Sequence, residues 1–464
     1  MAAFDLLIRR ATIFDGSGAA PVVGDVAIKD GRIAARGRDL PADIAARVVD
    51  ADGLWLTPGF LDVHTHYDLE VELAPGLEES VRHGVTTVVA NCSLGLAFGA
   101  LRKDGADPVV DCFARVENVP KGVLSRVADR ADWTCSKAYL DHLDSLPLGP
   151  NVAPMIPYSM LRIAAMGVDA SVSRAPTEAE LAEMERLLEK GLGEGYIGFS
   201  TDGLPFHYLA NDPNRDKKIP SQYASFRELK RLTDIVRRHG RLWQATPPTD
   251  SPLKVLRTFL LTSGRLYGKP LKVTAVAAMD VRSNRNIVRS AYVLARLLNS
   301  PLVKGAFTLQ SLAARFKVYA DGPVTPLSEE IPELRALMKP DLEDRAARAR
   351  LYADPTFEAA FKAMWRIGKS GRNLARLKRL LRIEDMALRR DIDEMTVEQA
   401  PVASWRGRRL SEIFDRLKKF QSAGAPAADA EEDAAFRQFP VVADDADFVF
   451  HLFKTYDRDL YWWT

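Results

Sequence analysis

From Pro58 onward short apolar runs alternate with longer stretches in which apolar residues recur every three or four positions, which is the pattern of buried strands separated by amphipathic helices. The strand candidates are GFLDVHTH (59–66), VTTVVAN (85–91), NVAPMIPY (151–158), GYIGFST (195–201), RLWQAT (241–246) and KVTAVAAM (272–279). Two helices announce their starts. Thr177 with Glu180 makes a capping box ahead of Leu181, Met184, Leu187 and Leu188, and Ser225 with Glu228 repeats the device ahead of Leu229, Leu232, Ile235 and Val236. Gly240 follows His239 where a left-handed helix end is expected. A further helix is expected near 73–83. This alternation predicts an α/β fold with a parallel sheet and helices outside it, and six units favour a (β/α) barrel over an open sheet.

The chain changes character on either side. Residues 4–56 read as short strands joined by turns, with Asp30-Gly31 as a hairpin signal, so a small N-terminal β-layer is expected over 1–56. The barrel is assigned to 57–310, and 311–464 to a helical, charged insertion or lid. Within the last segment, eight basic residues between 369 and 390 interleave with Leu374, Leu377, Leu380 and Leu381, which a solvated amphipathic helix explains without an anionic partner. AGAPAADAEEDAA (423–435) reads as a mobile acidic linker.

Composition narrows the function. Among 464 residues, 64 Lys and Arg nearly balance 62 Asp and Glu, so bulk-charge binding to nucleic acid or anionic lipid is not expected. Three cysteines, Cys92, Cys112 and Cys135, suit a reducing compartment better than a disulfide framework. The start, MAAFDLLIRRATIFDGSG, lacks a signal-peptide core, and no window reaches 18 apolar residues, so the protein reads as cytoplasmic and not membrane-spanning.

The chemistry centres on LTPGFLDVHTHYD (56–68). Side chains two apart on a strand share a face, so Asp62, His64 and His66 point one way and Val63 and Thr65 the other. Two imidazoles converging at the end of a buried strand are costly to place without a shared ligand, and a metal ion is the expected one. The remaining histidines His83, His142, His239 and His451 fall on predicted helices or tails, where a surface role is expected. Cys112 and Cys135 fall in polar, loop-like stretches.

PGFLDVHTH after a β-rich start, followed by GVTTVVANCSLG (84–95) and GYIGFSTDG (195–203), resembles the amidohydrolase superfamily, and most of all its N-acyl-D-amino-acid deacylase branch. The resemblance runs from residue 4 to about 280. It implies a metal-dependent-hydrolase (β/α)8 TIM-like barrel with a small β-sandwich, and an HxH pair, here His64 and His66, holding one or two divalent metals. It also implies that a cysteine ending the second strand is a ligand, and Cys92 occupies that position. The 25 residues between His66 and Cys92 suffice for a helix and a return strand, which would bring Cys92 to a neighbouring strand at the same edge. Imidazole and thiolate donors suit zinc. The activity implied is hydrolysis of a linear C–N amide bond in a small N-acyl or amide substrate by metal-activated water.

Departures from that pattern bear on the site. Pro247 stands where the branch carries a fifth-strand histidine, the sixth strand has none, and Tyr158 stands where a third-strand histidine is common. One metal on His64, His66 and Cys92 is therefore the expected inventory, rather than a full binuclear centre. The branch uses a late aspartate as proton shuttle, and this sequence ends at DLYWWT without it. The fold thus reads as incomplete at the C-terminus, to be closed by a missing C-terminal segment or a partner chain. The alternative function is a non-catalytic or split-subunit amidohydrolase-like protein. Asp202, Asp250 and Asp280 each follow a predicted strand and could replace the shuttle, with Asp202 and Asp280 the catalytic candidates, although helix capping competes for each. Asp68 and His207 are candidate substrate contacts.

Overall fold

The structure is a computed structural model that describes residues 2–248, 251–276, 278, 280, 286–311, 316–368 and 390–464. Asp250 and the basic stretch 369–389 lie outside the described residues. The chain forms two compact units, one of Met1–Asp62, Gly76–Val88 and Gly149–Asn151, the other of Val63–Pro75, Val89–Leu148 and Val152–Thr464.

The first unit opens with β1 (Leu6–Ile13), β2 (Val22–Lys29), β3 (Arg32–Gly37), β4 (Val48–Asp50) and β5 (Trp55–Leu56). They form one sheet in the order β3-β2-β1-β4, with β5 also paired to β1. Asp30 and Gly31 both adopt positive φ between β2 and β3, as the hairpin signal requires. Ala11, Ile13, Val26 and Ala51 make its small core.

Parallel strands follow: β6 (Phe60–Asp62), β7 (Val85–Ala90), β8 (Asn151–Pro154), β9 (Ile156–Pro157), β10 (Gly198–Thr201), β11 (Leu242–Ala245), β12 (Lys272–Ala275) and β13 (Ala306–Leu309). One sheet runs β6-β7-β8, with β6 and β7 parallel, and a second, parallel throughout its strand pairs, runs β13-β12-β11-β10-β9. All six expected strands exist, though shorter than the runs suggested, and β13 is an additional one. Gly198 is obligatory in β10, because a Cβ there would meet the Leu242 carbonyl oxygen at 2.0 Å. The fold is thus α/β with parallel sheets, as expected.

Helix signals were legible but not always for the expected reason. Thr177 Oγ1 accepts from the Glu180 amide at 3.2 Å and the Glu180 carboxylate accepts from the Thr177 amide at 2.8 Å, a complete capping box. Ser225 caps the helix Phe226–Arg238, but Glu228 does not reach back to it. Its carboxylate turns inward to Tyr158, whose hydroxyl donates at 2.6 Å, and to the Arg162 guanidinium, all three groups being buried. Gly240, at φ +65°, ends that helix as the sequence predicted. The helix expected near 73–83 is instead two short ones, Tyr67–Glu70 and Glu78–Arg82.

The last third is mainly helical around its own aromatic core, which includes Phe361, Trp365, Trp405, Phe450, Phe453 and Trp462. A three-stranded antiparallel sheet is set into it: β14 (Tyr319–Asp321), β15 (Thr396–Gln399) and β16 (Tyr461–Trp463), with β16 in the middle. The terminal aromatic run is therefore paired on both sides, and Trp462 Nε1 donates to the Gly322 carbonyl at 2.7 Å. The linker expectation for 423–435 is corrected: the segment includes the start of the helix Ala430–Gln438, capped by Asp429. Buried Glu432 anchors it, accepting from Trp405 Nε1 at 3.2 Å and pairing with Arg416. No helix among the described residues is long and apolar enough to cross a membrane.

Candidate functional site

The strand that begins the HxH segment ends at Asp62, so His64 and His66 lie in the loop beyond it, before the helix Tyr67–Glu70. The loop is fixed from both sides. Thr65 donates through its amide and its hydroxyl to the Val89 carbonyl, at 3.1 and 2.8 Å. Gln244 Nε2 donates to the Val63 carbonyl at 2.6 Å, while its own Oε1 accepts from Ser200 at 2.7 Å. Held this way, the two imidazoles come together edge to face with centroids 5.7 Å apart, as the sequence predicted although not by strand alternation.

Each ring has a polar neighbour that the sequence did not reveal. His66 Nε2 lies 3.1 Å from Oε1 of Glu117, the residue capping the end of the helix Pro108–Val116. His64 hydrogen bonds with Gln310, directly after β13. Burial, reinforced by His66, depresses the His64 pKa to about 4 against the opposing pull of Asp202 and Gln310. The ring is neutral near pH 7, the state that binds metals. Among the described residues, the buried Nδ1 of His66 has no hydrogen-bond partner. Asp68 is fully buried, with Oδ1 accepting from the Asn91 amide at 3.3 Å and Oδ2 without a hydrogen-bond partner among the described residues. Burial pushes its pKa up to about 7, against the lowering effect of His66.

Cys92 departs from expectation. Its Sγ faces the Val89 carbonyl at 3.6 Å, and the side chain packs with Val89 and Met155, flanked by Ile197 and Leu242. The backbone turns at the end of β7, with Asn91 at φ +60° and Ser93 at φ +67°, so strand alternation does not carry through to residue 92. No three His, Cys, Asp or Glu side chains among the described residues are gathered into a group that could hold a metal ion, and of the expected His64, His66 and Cys92 set the structure brings the imidazole pair together. Two adjacent imidazoles and a partnerless buried Nδ1 fit part of a cation's donor set; the apolar surroundings of the sulfur do not.

Asp202 follows β10 and is almost completely buried. Its Oδ1 accepts from the Leu204 amide at 2.8 Å and the Thr246 hydroxyl at 2.7 Å, and its Oδ2 pairs with Nδ1 of His207. Burial works to raise the Asp202 pKa, but His207 and these donors outweigh it and hold the carboxyl below its usual range. Burial likewise works to lower His207, and Asp202 outweighs it and raises the ring. Asp202 caps no helix among the described residues. A cavity of about 230 Å³ opens beside it, lined in part by Tyr158, Gln222, Thr246 and Arg257.

The remaining candidates scatter. Asp280 is exposed and makes no contact with the imidazole pair among the described interactions, so its candidacy as a catalytic acid is not supported by placement. Cys112 is fully buried in the helix Pro108–Val116, not in a loop. His142 is half-buried: it stacks on Trp133 at 4.5 Å, and its Nε2 lies 2.9 and 3.1 Å from the two oxygens of buried Glu72. Glu117 carried no sequence signal, since RVENVP reads only as a helix end, and Gln310 follows a four-residue strand too short to register as a periodic run.

No family model matches the chain. An uncharacterized protein of Mycobacterium tuberculosis is 38% identical over 367 residues, covering 77% of this chain and 58% of that protein. An N-acyl-D-aspartate deacylase of Alcaligenes xylosoxydans xylosoxydans is 37% identical over 198 residues, covering 42% of this chain and 36% of the deacylase. The chain thus spans less than two thirds of the length of these two curated relatives. Among solved structures, D-aminoacylase, described as defining a novel subset of amidohydrolases, aligns with a TM-score of 0.51 at 24% identity over 68% of this chain and 59% of its own. An N-acyl-D-glutamate deacylase from Bordetella bronchiseptica, solved with zinc and a phosphonate inhibitor, aligns with a TM-score of 0.53 at 23% identity over 97% of this chain and 74% of its own. These two likenesses show the fold.

Proposed function

We propose that this chain, related in sequence to the N-acyl-D-amino-acid deacylases of the amidohydrolase superfamily, is a metal-dependent hydrolase of a linear C–N amide bond in a small N-acyl-D-amino acid. The observation that carries the reading is the half-buried His64–His66 pair, with the His64 ring held neutral, just beyond the end of a parallel strand, where barrel enzymes hold their catalytic groups. His64 and His66 would hold a divalent cation, zinc being the ion that imidazole donors suit and the one bound in the Bordetella deacylase structure. When bound, such an ion polarises the scissile carbonyl and lowers the pKa of water toward ~7.

The chain's own residues supply the rest. Glu117 and Gln310 orient the two imidazoles. Asp68 is fully buried two residues beyond His66, while Asp202, directly after β10, pairs with His207 in the loop that follows. The same reading takes the parallel strands as a (β/α)8-type barrel over 57–310, 1–56 as a separate β-layer and 311–464 as a helical lid, in a cytoplasmic protein. The test is hydrolysis of N-acetyl-D-aspartate and N-acetyl-D-glutamate, alongside their L-enantiomers, by zinc-loaded protein. Release of the free D-amino acid is the expected result. Failure on every D-substrate together with cleavage of an L-substrate would transfer the reading to the opposite stereochemistry, and no cleavage at all would end it.

A further inference from the structure

We infer that His207, oriented by Asp202, is the group that moves the proton in the proposed hydrolysis; the inference rests on that reading. Asp202 engages Nδ1, and a carboxylate in that position fixes the ring proton there and leaves Nε2 as the basic nitrogen. Among the described residues no hydrogen bond reaches Nε2 of His207, and the side chain retains 16% exposure, so a reactant can approach it. Asp202 cannot swing away, because the Leu204 amide and the Thr246 hydroxyl pin its other oxygen and Ser221 and Gln222 hold its carbonyl at 2.8 and 2.9 Å. With every carboxylate oxygen engaged, Asp202 is itself a poor base.

The helix Pro108–Val116 joins the dyad's loop to the imidazole pair. Glu117 and Phe113 touch His66, at 3.1 Å and at 5.8 Å between ring centroids, while Arg115 donates to the Leu209 carbonyl at 3.0 Å and Asp111 accepts from the Asn211 amide at 2.7 Å, in the loop that carries His207. Asp202 also acts electrostatically on His64, and Glu117 on His207. The other charged group facing His207 is Glu329, which is tied to Arg115 at 2.7 Å and to Arg335 at 3.6 Å. Asp280, the competing acid, is exposed.

The step balances without a further reagent. As the oxygen of water bonds to the amide carbon, Nε2 takes one of its protons; as the C–N bond breaks, Nε2 returns that proton to the departing nitrogen. The ring ends as it began, and amide plus water has become carboxylic acid plus amine.

The test compares zinc-loaded wild type, His207→Gln and Asp202→Asn on N-acetyl-D-aspartate and N-acetyl-D-glutamate from about pH 5 to 9. For His207→Gln the expected result is a kcat lower by about 10²–10⁴-fold, little change in KM, unchanged zinc content and loss of the acidic limb of the pH profile. A His207→Gln enzyme within about threefold of wild type that keeps the acidic limb would overturn the assignment. If the wild type cleaves neither probe, the deacylase reading fails, and His207 is judged separately by its imidazole ¹⁵N signals. A neutral ring protonated at Nδ1 that changes tautomer in Asp202→Asn supports the inference; one protonated at Nε2, or indifferent to Asp202→Asn, overturns it.

Discussion

Oε1 of Glu117 lies 3.1 Å from Nε2 of His66, so the end of the helix Pro108–Val116 reaches the loop beyond β6 through a carboxylate–imidazole contact, beside the Phe113 ring that meets His66 edge-on at 5.8 Å. A carboxylate acceptor fixes the tautomer and orientation of a metal-binding imidazole and raises its basicity, and its loss typically weakens metal binding about 10–100-fold. Glu117→Ala should therefore lower zinc affinity by about that factor, measured by competition with a chelating dye, and Glu117→Gln, which keeps an acceptor oxygen, should lie between. Equal affinities in all three proteins would show that the contact does not bear on the metal.

Cys92 yields a prediction of the opposite sign. Its sulfur packs against Val89 and Met155, so Cys92→Ala should leave zinc stoichiometry unchanged and destabilise the fold by about 1–2 kcal/mol through the small cavity it creates. Zinc content and denaturant unfolding of the same preparation read both quantities. Loss of zinc with normal stability would restore the sulfur as a ligand.

How far the sequence reached is clearest at these residues. The spacing of His64 and His66, the hairpin at Asp30-Gly31 and the cap at Thr177 are local signals, each complete within a few residues, and each appears in the fold. The apolar setting of Cys92 was not legible, because the left-handed turn at Asn91 is a tertiary choice that strand periodicity does not encode. Ser225 and Glu228 formed a valid helix start, but buried Arg162 claimed the glutamate. Glu117 and Gln310 reach the imidazoles from distant segments, and no pattern within either segment points to the contact.

Arg162 and Glu228 form a fully enclosed ion pair, with Tyr158 donating to the same carboxylate. Removing one partner strands a buried charge, so Glu228→Ala should cost about 3–5 kcal/mol. Urea unfolding measures it, and a loss below about 1 kcal/mol would mean that water or a rearranged neighbour satisfies Arg162.

Asp111 provides a pH test away from the imidazoles. Burial raises its pKa from 3.8 to about 6, although its carboxylate accepts from the Asn211 amide at 2.7 Å. The folded chain then keeps a proton that the unfolded chain releases above about pH 4, so the associated stability is full below that pH and is lost as pH rises through 6. Asp111→Asn retains an acceptor oxygen without the charge. Its stability relative to wild type should rise by about 3 kcal/mol between roughly pH 4 and 7, at about 1.4 kcal/mol per pKa unit. A difference that stays flat across that range would place the ionised carboxylate in a better-solvated setting.

The most direct measurement is the metal content of purified protein beside a His64→Ala, His66→Ala double variant, read by elemental analysis after equilibration with excess zinc and gel filtration. About one equivalent per wild-type chain and none in a folded double variant is the predicted result. Equal zinc in both proteins, or none in the wild type, would contradict the account.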